Sequence, residues 1–157
     1  MSNQRISMVT LGVADLDRAK SFYVAWGWEV RADEKSIAFF QLNGCVLALF
    51  GLEDLAADQA RPDATLGTGA MTLAQNYATE EEVEERFSAA LFAGATVLKR
   101  PEATEWGGYS GYIADPDGHV WELARNPFWD LGGDGSVTIP PPSDEPPAPR
   151  KRKSRSE

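Results

Sequence analysis

One carboxylate stands out as a group that could do chemistry, because apolar residues flank it in a short predicted strand. Glu122 lies between Trp121 and Leu123, shortly after the turn segment Asp115-Pro-Asp-Gly118. A carboxylate in such a strand either lies at a solvent-exposed edge of the sheet or lines a cavity. In a cavity it could act as a general acid or base. Glu122 is therefore the candidate catalytic residue, and contact with a ligand or a purely structural role are the open alternatives.

Few other side chains compete with Glu122 for a catalytic role. His119 is the only histidine of the chain, and strand alternation places it off the face of Glu122. Cys45 is the only cysteine, and no basic residue adjoins it in sequence to activate its thiol. A single cysteine allows no disulfide framework and favours a reducing compartment. The predicted location is therefore cytoplasmic.

Composition narrows the classes of function further. The chain has 157 residues, of which 43% are hydrophobic, and this is ordinary for a globular protein with a proper core. The net charge of −9 argues against a general nucleic-acid binder. No apolar run reaches the roughly 20 residues that a membrane span needs, and residues 1–5 lack the apolar run of a signal peptide. We therefore expect no membrane partner.

The elements that must position Glu122 follow one order, strand–helix–strand–strand–strand, which occurs twice. The first copy begins with an alternating strand at Ser7 to Val13, and it contains two strands joined by Asn43-Gly44, a strong hairpin signal. The second copy begins at Ala70 to Ala74, continues with a helix capped by Thr79, and ends in the hairpin that carries Glu122. This repeat predicts an α+β fold of two βαβββ modules that bury one shared core.

The same pattern divides the chain into four segments. The first module occupies residues 5–52, a connecting loop occupies 53–67, with a short helical turn expected at Glu53 to Gln59, and the second module occupies 68–130. A C-terminal extension follows at 131–157, and its proline-rich, polar composition predicts disorder from about residue 140. The basic segment 150–155 is the one place where the chain could contact nucleic acid or an acidic partner.

Two segments resemble the vicinal oxygen chelate superfamily, which includes glyoxalase I, extradiol dioxygenases and the fosfomycin- and bleomycin-resistance proteins. Val9 to Tyr23 resembles its first strand and helix, and Asp115 to Leu123 resembles its closing hairpin. The resemblance covers residues 5 to about 127. It implies curved mixed sheets around a shared cleft, and it implies a homodimer, in some members with a cleft that the two subunits share.

Metal enzymes of that superfamily take ligands from four strand positions, which fall here on Met8, Ala48, Ala70 and Glu122. Only Glu122 offers an oxygen that suits a divalent ion, because a thioether is a soft ligand and alanine offers no donor. Divalent ions at such sites need three or more nitrogen or oxygen donors. The resemblance, applied position by position, therefore predicts no bound metal and no cofactor.

Strand alternation predicts which side chains share the cleft face with Glu122. Phe39 is expected opposite Ala48 in the first hairpin, and Gly111 opposite Glu122 in the second. Two aromatic residues just before the second hairpin could form a lid or a stacking wall. The predicted ligand-binding residues are Met8, Thr10, Phe39, Gln41, Ala48, Phe50, Ala70, Thr72, Trp106, Tyr109, Gly111 and Glu122.

Three hypotheses about function follow from these observations. The leading one is a metal-independent protein of this superfamily that binds a small organic molecule in an aromatic cleft, by sequestration or with weak acid–base chemistry through Glu122. The second is a glyoxalase-like lyase or isomerase, or a dioxygenase, whose metal is completed by other ligands or by the dimer mate. The third is an interaction module that uses the basic tail at residues 150–155.

Overall fold

The computed structural model describes residues 2–142, which contain two four-stranded sheets, three helices and one short hairpin. The fold-class prediction is confirmed: this is an α+β protein with two curved mixed sheets. The elements are β1 (Met8–Val13), α1 (Leu16–Ala25), β2 (Ala32–Asp33), β3 (Ile37–Gln41), β4 (Val46–Gly51), α2 (Leu52–Asp58), β5 (Thr72–Asn76), α3 (Glu80–Ala93), β6 (Thr96–Ala103), β7 (Tyr109–Ala114), β8 (Val120–Arg125), β9 (Asp130–Leu131) and β10 (Val137–Thr138).

The two sheets have the same topology. The first has the strand order β1-β4-β3-β2 and the second the order β5-β8-β7-β6. The first strand of each module runs parallel to the last, β1 beside β4 and β5 beside β8, and the remaining pairs are antiparallel. This repetition is what the doubled strand–helix order in the sequence predicts.

The long helices begin and end where their capping residues predict. The Asp15 carboxylate accepts a hydrogen bond from the Arg18 backbone N–H at 3.0 Å and starts α1. The Thr79 hydroxyl accepts from the Glu82 N–H at 3.1 Å and starts α3. Gly94 ends α3 in the left-handed conformation, with φ +114°.

One hydrophobic core serves both modules. It lies on the sheet faces that α1 and α3 cover, and the two helices also contact each other. Aromatic side chains of α1 reach across to the second sheet, since Tyr23 and Trp26 both pack against Trp121 of β8. The fully or almost fully buried members are Leu11, Val13, Ala19, Phe22, Tyr23, Trp26, Phe40, Leu47, Leu49, Val83, Phe87, Ala90, Ile113, Trp121 and Leu123.

The first hairpin has the predicted register, and the second does not. Phe39 pairs with Ala48 as expected. In the second hairpin Tyr112, and not Gly111, pairs with Glu122, so the predicted pairing is wrong by one residue. The reason is the turn. Its Asp115 N–H donates to the His119 carbonyl at 2.9 Å, so the loop has three residues and not four.

Segments outside the two sheets also carry structure. The helical turn predicted at Glu53 to Gln59, within the connecting loop, is found as α2. The hairpin of β9 and β10 lies in the segment predicted as a C-terminal extension, and sequence analysis did not predict it. The basic residues 150–155 and most of the segment predicted to be disordered lie outside the described residues. Within residues 2–142, no helix has the length and apolar character that a membrane crossing requires.

Candidate ligand-binding site

Glu122 and Tyr112 form a hydrogen-bonded pair on the face of the second sheet that points away from the helices. The Tyr112 hydroxyl donates to Glu122 Oε2 at 2.8 Å. This bond raises the pKa of Tyr112 above its ordinary value, because the carboxylate favours the protonated phenol. Tyr112 therefore stays a hydrogen-bond donor at neutral pH. Within residues 2–142, the other carboxylate oxygen, Oε1, accepts no hydrogen bond, so it is open to a ligand.

Glu122 lines an open cavity of about 470 Å³ on this face. The volume falls in the range that binds small organic molecules. The lining is aromatic and amide-rich, and Glu122 is its only ionisable side chain. The lining residues are Asn76, Trp106, Glu122, Ala124, Asn126, Phe128 and Trp129.

Two glycines position the aromatic walls of this cavity. The Trp106 ring folds back over Gly108, where an added Cβ would lie only 2.0 Å from the indole. The Phe128 ring packs on Gly107, which has φ +97° and would place a Cβ at 3.0 Å from that ring. The Asn126 side chain accepts from the Phe128 N–H at 2.9 Å and fixes the chain just after β8. The walls are thus held by backbone geometry.

The structure brings only two of the predicted site residues, Trp106 and Glu122, into this cavity. Thr10 and Ala70 line a second cavity of about 400 Å³, together with His119 and residues of α2 and the loop before β5. The first-sheet residues Met8, Phe39, Gln41, Ala48 and Phe50, and Thr72 of β5, line neither cavity.

Gln41 and Ala48 illustrate why the first sheet contributes so little to a site. The Gln41 amide is used at the hairpin turn, where its Nε2 donates to the carbonyls of Leu42 and Cys45. Ala48 is completely buried, so its methyl group offers no contact surface.

Gly111 and Tyr109 lie on the opposite face of β7 from Glu122, so their predicted place in the cleft is wrong. The cause is the one-residue register difference of the second hairpin, which places every side chain of β7 on the sheet face opposite to the predicted one. Gly111 lies against Pro101 of β6, which an added Cβ would approach within 2.9 Å. The Tyr109 hydroxyl donates to the Glu84 carboxylate on α3, and this bond raises the pKa of Tyr109 to about 12.

Sequence analysis missed five residues of the lining and Tyr112. Phe128 and Trp129 follow β8 directly, and two consecutive aromatic residues after a strand that carries a carboxylate are a usable signal. Asn76 and Ala124 could have been found only from the register, because they lie level with each other on β5 and β8. Tyr112 lies on the face of Glu122 because of the same one-residue register difference that places Gly111 on the opposite face.

The turn that precedes Glu122 has a structural role. Its Asp115 is 3% exposed, and Oδ1 accepts from the backbone N–H groups of Asp117 and His119 at 2.9 Å each. Asp115 Oδ2 accepts from the Tyr23 hydroxyl at 2.6 Å, and that hydroxyl accepts from Trp121 Nε1 at 3.0 Å. Burial raises the pKa of Tyr23, so this phenol remains protonated.

Two further contacts join the same turn to the first module. Asp117 Oδ1 accepts from the Ala14 N–H at 2.8 Å and from Arg18 Nη2 at 3.0 Å. His119 Nε2 is 2.7 Å from the Gly12 carbonyl oxygen. Asp117 and His119 therefore hold the hairpin against β1 and the start of α1.

A third cavity, of about 580 Å³, lies between the two modules on the side of the core. The hairpin of β9 and β10 contributes Asp134, Gly135 and Val137 to its wall, and Asn43 Nδ2 donates to the Asp134 carbonyl at 3.3 Å. Its other lining residues are Val9, Trp28, Leu42, Asn43, Cys45, Leu47, Leu73, Ala74, Gln75, Asn76, Tyr77 and Trp121.

The donor atoms present do not fit the divalent metal that the resemblance implies for related enzymes. Of the four corresponding positions, only Glu122 carries a carboxylate, and Ala74, not Ala70, lies level with it on β5. Met8 offers only a soft thioether. Among the described residues, no group of three or more His, Cys, Asp or Glu side chains could hold a metal ion.

The sheet topology and the concave site together define a recognisable class of protein. The family model described as the glyoxalase/bleomycin resistance protein/dioxygenase superfamily matches residues 5–123. This match covers well over half of the chain, and the chain therefore belongs to that superfamily.

Solved structures agree with this assignment. A glyoxalase-related enzyme from Fulvimarina pelagi matches with a TM-score of 0.80 and 39% identity, and the match covers 87% of this chain and 98% of that one. A lactoylglutathione lyase from Agrobacterium tumefaciens matches with a TM-score of 0.64 and 25% identity, over 80% of this chain and 96% of that one.

Curated relatives add little about activity. A stretch of 89 residues is 32% identical to an uncharacterised protein of Mycobacterium bovis, over 56% of this chain and 57% of that one. An uncharacterised protein of Mycobacterium tuberculosis matches at the same identity, over 51% of its length. The chain spans about half the length of the curated relatives it matches. The predicted homodimer and the predicted cytoplasmic location stay predictions.

Proposed function

We propose that this protein binds a small organic molecule, without a metal ion, in the cavity on the concave face of the second sheet. One observation carries the proposal: an open carboxylate oxygen, Glu122 Oε1, and aromatic side chains line the same cavity. Aromatic walls with one polar group that fixes orientation are typical of small-molecule sites. The donor atoms of residues 2–142 do not support the lyase or dioxygenase chemistry that metal-dependent members of the superfamily perform.

A fragment screen tests this proposal. Chelator-treated, full-length protein is mixed with small aromatic and aliphatic fragments, and binding is followed through the indole N–H signals of the NMR spectrum. We expect binders to perturb the signals of Trp106 and Trp129. Fragments that bind only after a divalent metal is added, or the absence of any binder, would contradict the proposal.

Two matched variants locate the site. Trp106→Ala removes one aromatic wall, and we expect it to weaken the binding of fragments about tenfold, the equivalent of losing roughly 1.4 kcal/mol of contact. Phe92→Ala removes an aromatic side chain that is 95% exposed on α3, away from the cavity, and should leave binding unchanged. Equal effects of the two substitutions would place the binding site elsewhere.

A further inference from the structure

We infer that the cavity beside Glu122 selects an organic ammonium cation, an inference that rests on the proposed function. Three properties of the lining support it, namely its charge, its aromatic rings and its small number of metal donors.

The first property is a negative charge that no cation of residues 2–142 balances. Glu122 is partly buried, and it forms no salt bridge with any Lys, Arg or His of residues 2–142. The neighbouring cation, Arg125, points to the other side, where its Nε donates to the Ala78 carbonyl at 3.3 Å. Among the described residues, the only hydrogen-bond partner of Glu122 is the Tyr112 hydroxyl, which is neutral. A cationic ligand would supply the missing counter-charge.

The second property is the aromatic wall. Trp106, Phe128 and Trp129 line the same cavity as the carboxylate, and each keeps between 41% and 61% of its surface exposed. The negative face of an aromatic ring attracts cations, and quaternary ammonium groups are bound in this way. An anion would be repelled by Glu122, and a neutral ligand would leave its charge unpaired.

The third property separates an organic cation from a metal ion. The remaining polar lining groups are the amides of Asn76 and Asn126, and the Asn126 oxygen already accepts from the Phe128 N–H. One carboxylate and these amides fall short of the donors that a divalent ion requires. Indole faces add nothing to metal coordination, but they favour a diffuse ammonium charge.

A pair of isosteric probes tests this inference. Phenyltrimethylammonium and tert-butylbenzene have the same shape, because they differ only in a charged nitrogen in place of a quaternary carbon. We expect the wild-type chain to bind the ammonium at least about tenfold more tightly at low ionic strength, with the preference falling as salt screens the charge. Dissociation constants are measured by NMR titration of the full chain.

Three variants assign this preference to the charge of Glu122. Glu122→Gln keeps the shape of the side chain and an oxygen that can accept from Tyr112, so it should abolish the preference for the ammonium probe over tert-butylbenzene. Tyr112→Phe keeps the charge and should keep the preference. Glu85→Gln removes the same charge from an exposed position on α3 and should have no effect.

The outcomes distinguish this inference from the proposed function. Equal binding of the two probes to wild-type protein, or a preference that survives in Glu122→Gln, would overturn the cation inference and leave the proposed function standing. If neither probe binds while other fragments do, the cation inference is also overturned. Failure of both probes and of every fragment would overturn the proposed function itself.

Discussion

The Tyr23 hydroxyl lies 2.6 Å from Asp115 Oδ2, and this bond joins the helix of the first module to the closing turn of the second. Both groups are buried, and Trp121 Nε1 donates to the same hydroxyl. A buried carboxylate is tolerated only when its hydrogen-bonding capacity is met. Each module therefore stabilises the other through this bond.

Tyr23→Phe should destabilise the protein strongly, because it removes one oxygen and leaves Asp115 Oδ2 and Trp121 Nε1 without a partner. We expect the free energy of unfolding to fall by on the order of 3 kcal/mol. Urea denaturation followed by fluorescence measures the change. Tyr109→Phe is the control, because its hydroxyl bonds to Glu84 at the surface, and it should cost less than about 1 kcal/mol. Equal losses in the free energy of unfolding would show that the buried hydrogen bonds contribute no more to stability than the surface bond does.

The sequence predicts the fold of this protein better than its site, and the second hairpin shows why. The doubled strand–helix order, the caps at Thr79 and Gly94, and the Asn43-Gly44 turn are local signals, and all are found in the structure. The register at Glu122 depends instead on whether Asp115 belongs to the turn or to the strand. Asp115 lies in the turn, where its Oδ1 accepts from the nearby Asp117 and His119 N–H groups and its Oδ2 accepts from Tyr23, 92 residues away. The bond to Tyr23 is a tertiary contact, and local sequence does not predict it.

The site residues likewise fall into two groups, those that the sequence predicts and those that only the three-dimensional structure shows. Glu122 and Trp106 could be predicted, because a carboxylate in an apolar strand and an aromatic residue before a hairpin are unusual in themselves. Phe128 lies in the wall with its ring against Gly107 and its N–H bonded to the Asn126 side chain, and Trp129 follows it directly in the chain. Such contacts depend on three-dimensional packing, so neither strand alternation nor the family resemblance predicts them.

The tyrosines should resist ionisation in the folded state. Burial raises the pKa of Tyr23 and brings that of Tyr77 to about 12, while hydrogen bonds to carboxylates raise the pKa of Tyr109 to about 12 and also raise that of Tyr112. These are all four tyrosines of the chain. Since folding raises each pKa, their contribution to stability is complete below about pH 10 and is lost as the pH rises towards 12 and beyond.

Ultraviolet absorbance of phenolate measures this effect. At a pH slightly above 10 we expect little phenolate in the native protein and more than half ionisation in urea-unfolded protein. Glu122→Gln should allow one tyrosine, Tyr112, to ionise at a lower pH than in the wild type. A native titration curve that overlays the unfolded one would contradict the hydrogen bonds assigned here.

Gly108→Ala should disturb the cavity wall, because its Cβ would lie 2.0 Å from the Trp106 ring and 2.7 Å from the Arg125 carbonyl oxygen. We expect a loss of about 1–3 kcal/mol in the free energy of unfolding, as for other overpacked positions. A shifted Trp106 indole signal in the NMR spectrum should accompany it. The matched control is Gly133→Ala, where an added Cβ has no atom within 4 Å. Similar destabilisation by both substitutions would refute the steric explanation.

The β9–β10 hairpin should respond to acid through Asp134. Hydrogen bonds from the Ser136 hydroxyl and backbone N–H lower the pKa of Asp134 below its ordinary value. The stabilisation from this ionised carboxylate is therefore present above the ordinary pKa of about 4 and is lost as the pH falls through the lower folded value.

The Ser136 amide signal reports this titration. We expect its chemical shift to change with a midpoint below the ordinary aspartate value, and Ser136→Ala should move the midpoint of Asp134 upwards. An unshifted midpoint in the wild-type chain would mean that these hydrogen bonds do not hold the hairpin.

The three-residue turn at Asp115 has a consequence for how new binding properties could arise in this fold. Inserting or deleting one residue there would rotate β8 by half a turn relative to β7, exchanging Glu122 for Trp121 or Leu123 on the concave face. Such a change would put a carboxylate into the core and an apolar side chain into the cavity. The length of this turn, which does not itself line the cavity, thus sets the polarity of the binding surface.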